Sequence, residues 1–525
     1  MNRRTEAMKL LTSGIYTFEK LIKDNYLYVD KTEYIWDLIS QPTGLYFLSR
    51  PRRFGKSLTV STLETVFNGK KELFKGLSIY NKDYDWKKYP VIHLDFADTD
   101  ADSPAALKED ISERLQKIAD NYKVPLKGKT IQSQFRQLIY KLSEKNPVVI
   151  LVDEYDKPIL GNVSNPKVKE ILKVLKGFYS VIKGTEGKQR FVLLTGVSKF
   201  AHVSVFSDLN NLTDITYDSD YAAMLGYTQE EFEDNFAEYI DQVAKQQNIP
   251  RQELLDKLKQ WYDGYCFHAN GPLVYNPVSV AQFFLKKGEF RSYWFATGTP
   301  SFLLELAQKT QFDFEQALTE PVSGLVFDSF EIDNLNPLAL LLQTGYLTIK
   351  GTEEDFGVTL YYLGFPNDEV KSSFDAYLLN YYTKVPKENI EELSVRLARL
   401  VRSGEVDAFM ELLKTFFAQI PYDIKLRNEK YYQTIFFMLF LLLGVHIEAE
   451  ARTNNGRIDA VASYGEWTYL LEFKLNKNAK TALNQIKDKE YFRKYLHTGK
   501  RIIMIGVNFD SKSGQIKDWQ KEELV

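Results

Sequence analysis

Tyr46-Phe47-Leu48-Ser49-Arg50-Pro51-Arg52-Arg53-Phe54-Gly55-Lys56-Ser57 decides how this chain reads. Its end is the Gly-Lys-Ser of a phosphate-binding loop. Gly55 lets the backbone approach a phosphate, Lys56 brings a point charge to the β- and γ-phosphates, and Ser57 offers a hydroxyl to Mg²⁺. The glycine that normally opens such a loop is replaced by Arg50, and Arg50, Arg52 and Arg53 crowd a segment that should wrap polyphosphate. Working outward, Leu45 to Leu48 form an apolar run that predicts a short buried strand, and Leu58, Val60 and Leu63 begin a helical spacing. Strand, loop and helix in that order aim helix N-terminal amides at an anion. Arg53, Phe54, Gly55, Lys56, Ser57 and Leu58 are therefore the expected nucleotide-contacting residues.

A second element completes half a site. Pro147 to Asp156 reads PVVILVDEYD. The unbroken apolar run Val148 to Val152 marks a strand buried on both faces. It ends in Asp153, suited to holding the Mg²⁺ water shell, and Glu154, suited to polarising an attacking water as general base. Tyr89 to Phe96, Arg190 to Lys199 and Leu212 to Tyr217 predict further strands. Thr195 and Ser198, at the end of one of them, are candidates to sense the γ-phosphate; plain turn chemistry accounts for them equally well. Strands alternating with helical stretches predict a parallel, helix-covered sheet with its ligand at the strand C-terminal ends.

Composition bounds the rest. The chain has 525 residues and a net charge of −3, which argues against indiscriminate polyanion binding, so any nucleic-acid contact must come from a local patch. The lone cysteine, Cys266, excludes an internal disulfide framework and points to a reducing, cytoplasmic setting. It reads as a buried structural thiol. The five histidines are scattered without zinc-ligand spacing. No secretory signal is evident, and the apolar run Ile435 to Val445 is too short to span a bilayer, so it reads as a buried helix and no membrane partner is expected.

The last hundred or so residues carry a different chemistry. Arg457 to Val461 and Thr468 to Lys474 predict two strands joined by a turn at Tyr464-Gly465-Glu466. Glu472 and Lys474 project to one face, with Asp459 on the neighbouring strand. Two carboxylates and a lysine around one point can bind a divalent metal, orient a water and steady developing charge. Glu429, opening the apolar helix, and Gln485, on a following helix, can reach the same point. Arg501 to Val507 closes the pattern as a last strand. Between the two constellations, Thr228 to Tyr262 has the helical spacing of a lid. Asn276 to Leu342 looks mainly helical, with a turn at Gly298-Thr299-Pro300. Gly345 to Lys350 and Val358 to Leu363 predict a hairpin around Gly351 to Glu354, which with the preceding helices suggests a winged-helix-like module. DNA binding is one meaning of that shape; a packing or regulatory module is the other, favoured by the acidic hairpin tip. Ile390 to Ile420 is helical.

With these residues in view, the chain resembles a bacterial family of two-part proteins with an AAA-ATPase-like N-terminal region and a PD-(D/E)XK nuclease-superfamily C-terminal region. The resemblance rests on Tyr28 to Thr32 (YVDKT), Arg50 to Ser57 (RPRRFGKS), Leu151 to Pro158 (LVDEYDKP), Leu194 to Phe200 (LTGVSKF) and Trp261 to Phe267 (WYDGYCF). It extends through Tyr275-Asn276-Pro277, Leu342 to Leu347 (LQTGYL), Gly364 to Val370 (GFPNDEV), Gly456 to Lys474 and Ala482 to Ile486. In that family the loop with Arg50 is the usual form. The resemblance assigns Lys56 and Ser57 to phosphate and Mg²⁺, Asp153 and Glu154 to metal and water activation, and Asp459, Glu472 and Lys474 to a nuclease core with Glu429 and Gln485 as accessory positions. Ile458 stands where the nuclease motif has proline.

It implies an α/β protein: a P-loop NTPase parallel sheet with a helical lid, a mainly helical winged-helix-like middle region, and a small C-terminal α/β restriction-endonuclease-like domain. The expected boundaries are 1–225 for the ATPase core, 226–300 for the lid, 301–370 for the winged-helix-like module, 371–425 for a helical linker and 426–525 for the nuclease-like domain. The implied cofactors are ATP and Mg²⁺, with Mn²⁺ able to serve at Asp459 and Glu472. The implied partners are DNA or RNA, and a homo-oligomer, since AAA-type sites are often completed by a neighbouring subunit. The expected activity is ATP binding and hydrolysis coupled to metal-dependent phosphodiester cleavage. The alternative is a non-cleaving ATP-dependent switch or sensor whose nuclease-like domain only binds.

Overall fold

The computed structural model describes residues 8–199, 209, 211–294, 303–304, 306–307, 310, 312, 314–327, 335–421, 429–443, 446–453 and 456–524; of residues 315, 429–431, 433–434, 441, 446–453 and 456–457 it describes the backbone alone. The chain divides into two units, 1–370 and 371–525.

The first unit is built on strands β1 (Leu45–Ser49), β2 (Val91–Asp95), β3 (Val148–Asp153), β4 (Gln189–Gly196) and the short β5 (Thr213–Asp214). They stand in the order β2-β3-β4-β1-β5, every neighbouring pair parallel. Every residue of β3 is buried. Burying one Val, Ile or Leu is worth roughly 2 kcal/mol, which favours a continuous apolar run over alternation in a strand covered on both faces. The helix Val168–Lys183 presents Ile171, Leu175, Phe178 and Ile182 on one buried face, and Phe178 stacks on Phe135 of the helix Ile131–Leu142 at 4.7 Å. Because all five strands run the same way, the tips of β1, β3 and β4 meet at one edge.

The lid expected from Thr228 onward is present as the helices Gln229–Asn235, Ala237–Gln247, Arg251–Tyr262 and Pro277–Leu285. Their apolar faces close a core of their own around Phe232, Phe236, Leu258, Tyr262 and Phe283. Farther on, β6 (Val322–Ser323), β7 (Thr348–Asp355) and β8 (Val358–Gly364) form an antiparallel sheet in the order β6-β8-β7. The hairpin turn lies at Phe356-Gly357, not across Gly351 to Glu354 as the sequence suggested. Both turn residues have positive φ, 47° and 76°, the two-residue turn whose twist matches the flanking strands. The earlier glycine sits at a register irregularity within β7 instead. The expected turn at Gly298 to Pro300 lies outside the described residues.

In the second unit the helices Lys387–Ser403 and Val406–Gln419 are separated at Gly404, and the helix Glu429–Leu442 buries Ile435 to Phe440. The sheet runs β13 (Gln515–Leu524), β12 (Arg501–Asp510), β11 (Trp467–Leu475), β10 (Gly456–Tyr464) and β9 (His446–Thr453). β10 and β11 form the expected hairpin, and β12 adds parallel to β11. β9 and β13 were not anticipated. Both are edge strands, where one side of the ladder is open and polar sequence is tolerated; Gln515 to Leu524 (QIKDWQKEEL) carries no strand-like alternation.

The helix Ala479–Asp488 lies on β12 at Gly506, where a Cβ would stand 2.3 Å from Ala479 O and 2.5 Å from Leu483 N. Both obstacles are backbone, so they cannot swing aside. Gly506→Ala is expected to destabilise the second unit by about 2 kcal/mol, as overpacking does, read as a lower urea midpoint of its unfolding transition.

Candidate functional site

The phosphate loop connects β1 to the helix Lys56–Phe67, whose N-cap Gly55 has φ 98°. Lys56 is buried, and its Nζ donates to the carbonyls of Arg50 at 2.9 Å and Pro51 at 3.0 Å. Burial pulls its ammonium down, while Asp153, Glu154 and Asp156 favour the charged form. The loop thus curls around its own lysine. Ser57 stands beside Asp153 at the tip of β3 and favours its charged form, while burial pushes that carboxyl up. A hydroxyl beside a buried carboxylate is a donor set that fits Mg²⁺, which keeps several of its waters and takes few protein ligands. Glu154 follows with φ 49°, a left-handed turn that carries the chain off the strand end, and its backbone N–H donates to Asp153 Oδ1 at 3.0 Å.

The sensor candidates separate. Thr195, at the end of β4, is buried and its Oγ1 has no partner among the described residues. Ser198 instead donates through Oγ to Asp156 Oδ2 at 2.8 Å, and the backbone N–H groups of Val197 and Ser198 donate to the same oxygen at 3.1 and 2.7 Å. Ser198 is therefore a turn residue held by a buried acid, and Asp156 is a structural post missed in the sequence, although it stands in LVDEYDKP.

The loop arginines divide likewise. Arg50 is 1% exposed. Its guanidinium donates to the carbonyls of Ser49, Thr216 and Tyr221 and lies 4.2 Å from the ring centroid of Phe267. Burial pulls it down to about 10, so it stays charged at neutral pH. Phe54 meets Tyr265 and Phe267 edge-on at 4.8 and 5.3 Å and also borders the cavity beside the loop. Arg53 holds φ 67°, and its Nη1 donates to Tyr293 O at 3.0 Å. A non-glycine residue in that conformation costs about 1–3 kcal/mol unless its surroundings hold it.

Beside the loop, a cavity of about 80 Å³ opens between Tyr28, Val29, Phe54, Leu58, Met224 and Tyr227. Gly55 and Thr59 of the loop helix border it. Lys31 seals this side by donating to Ala223 O at 2.7 Å and pairing with Glu231 of the lid at 2.6 Å. That gives Tyr28 to Thr32 a physical role: it ties the N-terminal segment to the lid.

In the second unit, Asp459 on β10 and Glu472 and Lys474 on β11 come together. Phe473 N donates to Asp459 Oδ2 at 2.6 Å, and Lys474 Nζ reaches Glu472 Oε1 at 2.8 Å. Gln485 Nε2, carried in by the helix that Gly506 admits, donates to the same Glu472 oxygen. Glu472 is 1% exposed. Asp459 and Glu472 are two hard oxygen donors side by side, again a set that fits Mg²⁺ or Mn²⁺. Tyr491 was missed: it stands beside Gln485 within the field of Glu472, Asp459 and Lys474, and burial raises its phenol. Tyr491 stands six residues past the glutamine, beyond the end of the helix Ala479–Asp488, so no helical spacing in the sequence announced it. Glu429 opens the helix Glu429–Leu442, but its side chain lies outside the described residues.

A phosphate loop and an acid-tipped strand on a parallel sheet, followed by a carboxylate–lysine cluster on a mixed sheet, define a two-part protein of nucleotide-binding and nuclease-superfamily type. The comparisons agree. Residues 12–206 match a family described as predicted AAA-ATPase, and residues 427–519 match the PD-(D/E)XK nuclease superfamily. A protein of Azotobacter chroococcum mcd 1, described as an uncharacterized protein in the vnfD 5' region, is 37% identical over 529 residues, covering 98% of this chain and 99% of that one. The chain belongs to this family of AAA-ATPase-like proteins with a C-terminal PD-(D/E)XK nuclease-superfamily domain. No helix among the described residues is long and apolar enough to cross a membrane.

Arg50→Gly restores the usual first glycine of the motif yet is expected to harm the protein. It strands buried carbonyls, each costing about 1–3 kcal/mol. A loss of about 3 kcal/mol in the urea unfolding of the first unit is the expected outcome.

Proposed function

We propose that the first unit binds and hydrolyses ATP and that the second is a metal-dependent nuclease acting on DNA or RNA. The observation that carries this reading is that one chain assembles two separate phosphate-chemistry sets, Lys56, Ser57, Asp153 and Glu154 in one unit and Asp459, Glu472, Lys474 and Gln485 in the other.

In the first unit Lys56 exchanges its loop carbonyls for the β- and γ-phosphates, and the amides at the start of the helix Lys56–Phe67 receive phosphate oxygens. The aromatic cavity beside Gly55 receives the base. Glu154 takes the proton of the attacking water, and Thr195 Oγ1 donates to the γ-phosphate. Ser57 and Asp153 would hold Mg²⁺, which supplies charge neutralisation between the phosphates. In the second unit Asp459 and Glu472 would hold the divalent ion. Lys474 stabilises charge on the scissile phosphate, and Gln485 and Tyr491 orient Glu472. The finer boundaries at 225, 300 and 425 and a cytoplasmic location belong to the same proposal.

The test is cleavage of single- and double-stranded DNA and RNA by the full chain, with Mg²⁺ or Mn²⁺, with and without ATP. Lys474→Ala is expected to lower cleavage about 10²-fold or more while leaving ATP binding intact. Lys56→Ala is expected to abolish ATP binding. Absence of cleavage under every condition, with ATP binding retained, would replace the nuclease by a binding-only domain. Separately, Glu154→Gln is expected to retain ATP and lose turnover by about 10²-fold or more, as removal of a general base does, measured as phosphate release. Equal rates in wild type and Glu154→Gln would remove Glu154 from that role.

A further inference from the structure

Two arginines of the phosphate loop are held by a strap from far along the chain. Arg53 Nη1 donates to Tyr293 O at 3.0 Å, and the indole Nε1 of Trp294 donates to Arg52 O at 3.2 Å. The ring of Trp294 packs edge-on against Tyr346 at 5.1 Å. The strap itself is anchored by one acid. Trp294 N donates to Glu369 Oε1 at 2.7 Å, and Ser279 Oγ donates to Glu369 Oε2 at 2.7 Å. Ser292 Oγ adds a longer bond to Glu369 O at 3.4 Å.

Glu369 is fully buried. Burial pushes its carboxyl up to about 7, against the fixed donors and the charge of Arg53. An ionisable group in such a place costs stability, so its presence asks for a return that an apolar residue cannot give. The return is geometric. Glu369 lies in the first turn of the helix Asp368–Thr383. Neighbouring residues fasten the same turn to the lid: Gln260 Nε2 donates to Asp368 Oδ2 at 2.7 Å, and Asn367 Nδ2 donates to Asp263 O at 2.9 Å. The chain passes from the first unit to the second within that helix.

We propose that Glu369 is a positioning residue for the phosphate loop: it fixes the Tyr293-Trp294 strap, the strap fixes Arg52 and Arg53, and loop occupancy is thereby coupled to the start of the helix Asp368–Thr383. This rests on the reading of the loop as an ATP site. Glu369 touches no phosphate in this scheme. It sets how firmly the loop presents its amides, and it links a change in the loop to the segment leading to the second unit.

The experiment uses the full chain with Mg²⁺ and a fluorescent ATP analogue, together with hydrogen exchange across residues 368–383 in its presence and absence. Wild type, Glu369→Gln, Ser279→Ala and Lys56→Ala are compared well below their melting temperatures. Glutamine keeps the shape of the anchor but loses one of its two acceptors. Glu369→Gln is expected to weaken the analogue about tenfold, the effect of losing one buried hydrogen bond, and Ser279→Ala to weaken it less. In wild type the analogue is expected to slow exchange in residues 368–383, and in Glu369→Gln that protection is expected to vanish. Unchanged affinity in both variants, or protection that survives Glu369→Gln, overturns the proposal even if the variants are less stable. If Glu369→Gln does not fold, Ser279→Ala decides by the same two readouts. If wild type binds the analogue no better than Lys56→Ala, the ATP reading fails first, and the coupling falls with it.

Discussion

The buried guanidinium of Arg50 is the constraint on which the first unit depends. Removing an arginine from water is costly, and the cost is offset only where its donors are met and its flat face is covered. Here backbone carbonyls of Ser49, Thr216 and Tyr221 meet Nη1 and Nη2, Nε has no partner among the described residues, and Phe267 covers the face. Asp214 adds a favourable field from β5. One side chain therefore joins the end of β1, the chain after β5 and the segment Trp261 to Phe267. A phosphate loop usually gains its shape from glycine at that position. This loop gains it from an internal cation, and Gly55 alone supplies the close backbone approach.

Other sequence motifs find their places around that cation. Phe54 packs on Tyr265 and Phe267, Lys199 N donates to Gln343 at 2.8 Å, and Lys199 pairs with Asp214 at 2.8 Å. Asn276 caps the helix Pro277–Leu285, which carries Ser279 toward Glu369. Segments that look in sequence like a row of unrelated signatures are parts of one scaffold behind the loop. They hold a loop whose residues at Arg53 and Gly55 have positive φ.

The second unit reaches its site by another route. Asp459, Glu472 and Lys474 come from adjacent antiparallel strands, so the ladder itself sets their spacing. Gln485 arrives only because Gly506 lets a helix settle on β12. The central strands were legible because their burial imposes apolar runs. β9 and β13 were not, because edge strands have no such constraint. The hairpin of the middle region was legible as a pair of strands, but its turn was misplaced: Gly351 looked like the turn residue, whereas Phe356-Gly357 takes the left-handed backbone.

By itself, the sequence determined the strand–loop–helix around Lys56, the acid-tipped strand ending at Asp153, and the pairing of Asp459 with Glu472 and Lys474. Each is short-range: backbone conformation, buried runs and alternation act over a few residues and leave their mark in them. Only the tertiary structure decided the roles of the residues around these motifs. Arg50 proved to be a buried bolt, Ser198 a turn residue, Asp156 and Glu369 buried anchors, and Tyr491 a neighbour of the second site. Those roles depend on which group stands a hydrogen bond away, and for Arg50, Ser198, Asp156 and Glu369 that partner comes from 40 to more than 160 residues along the chain. Residue identity carries no record of such distances until the chain has folded.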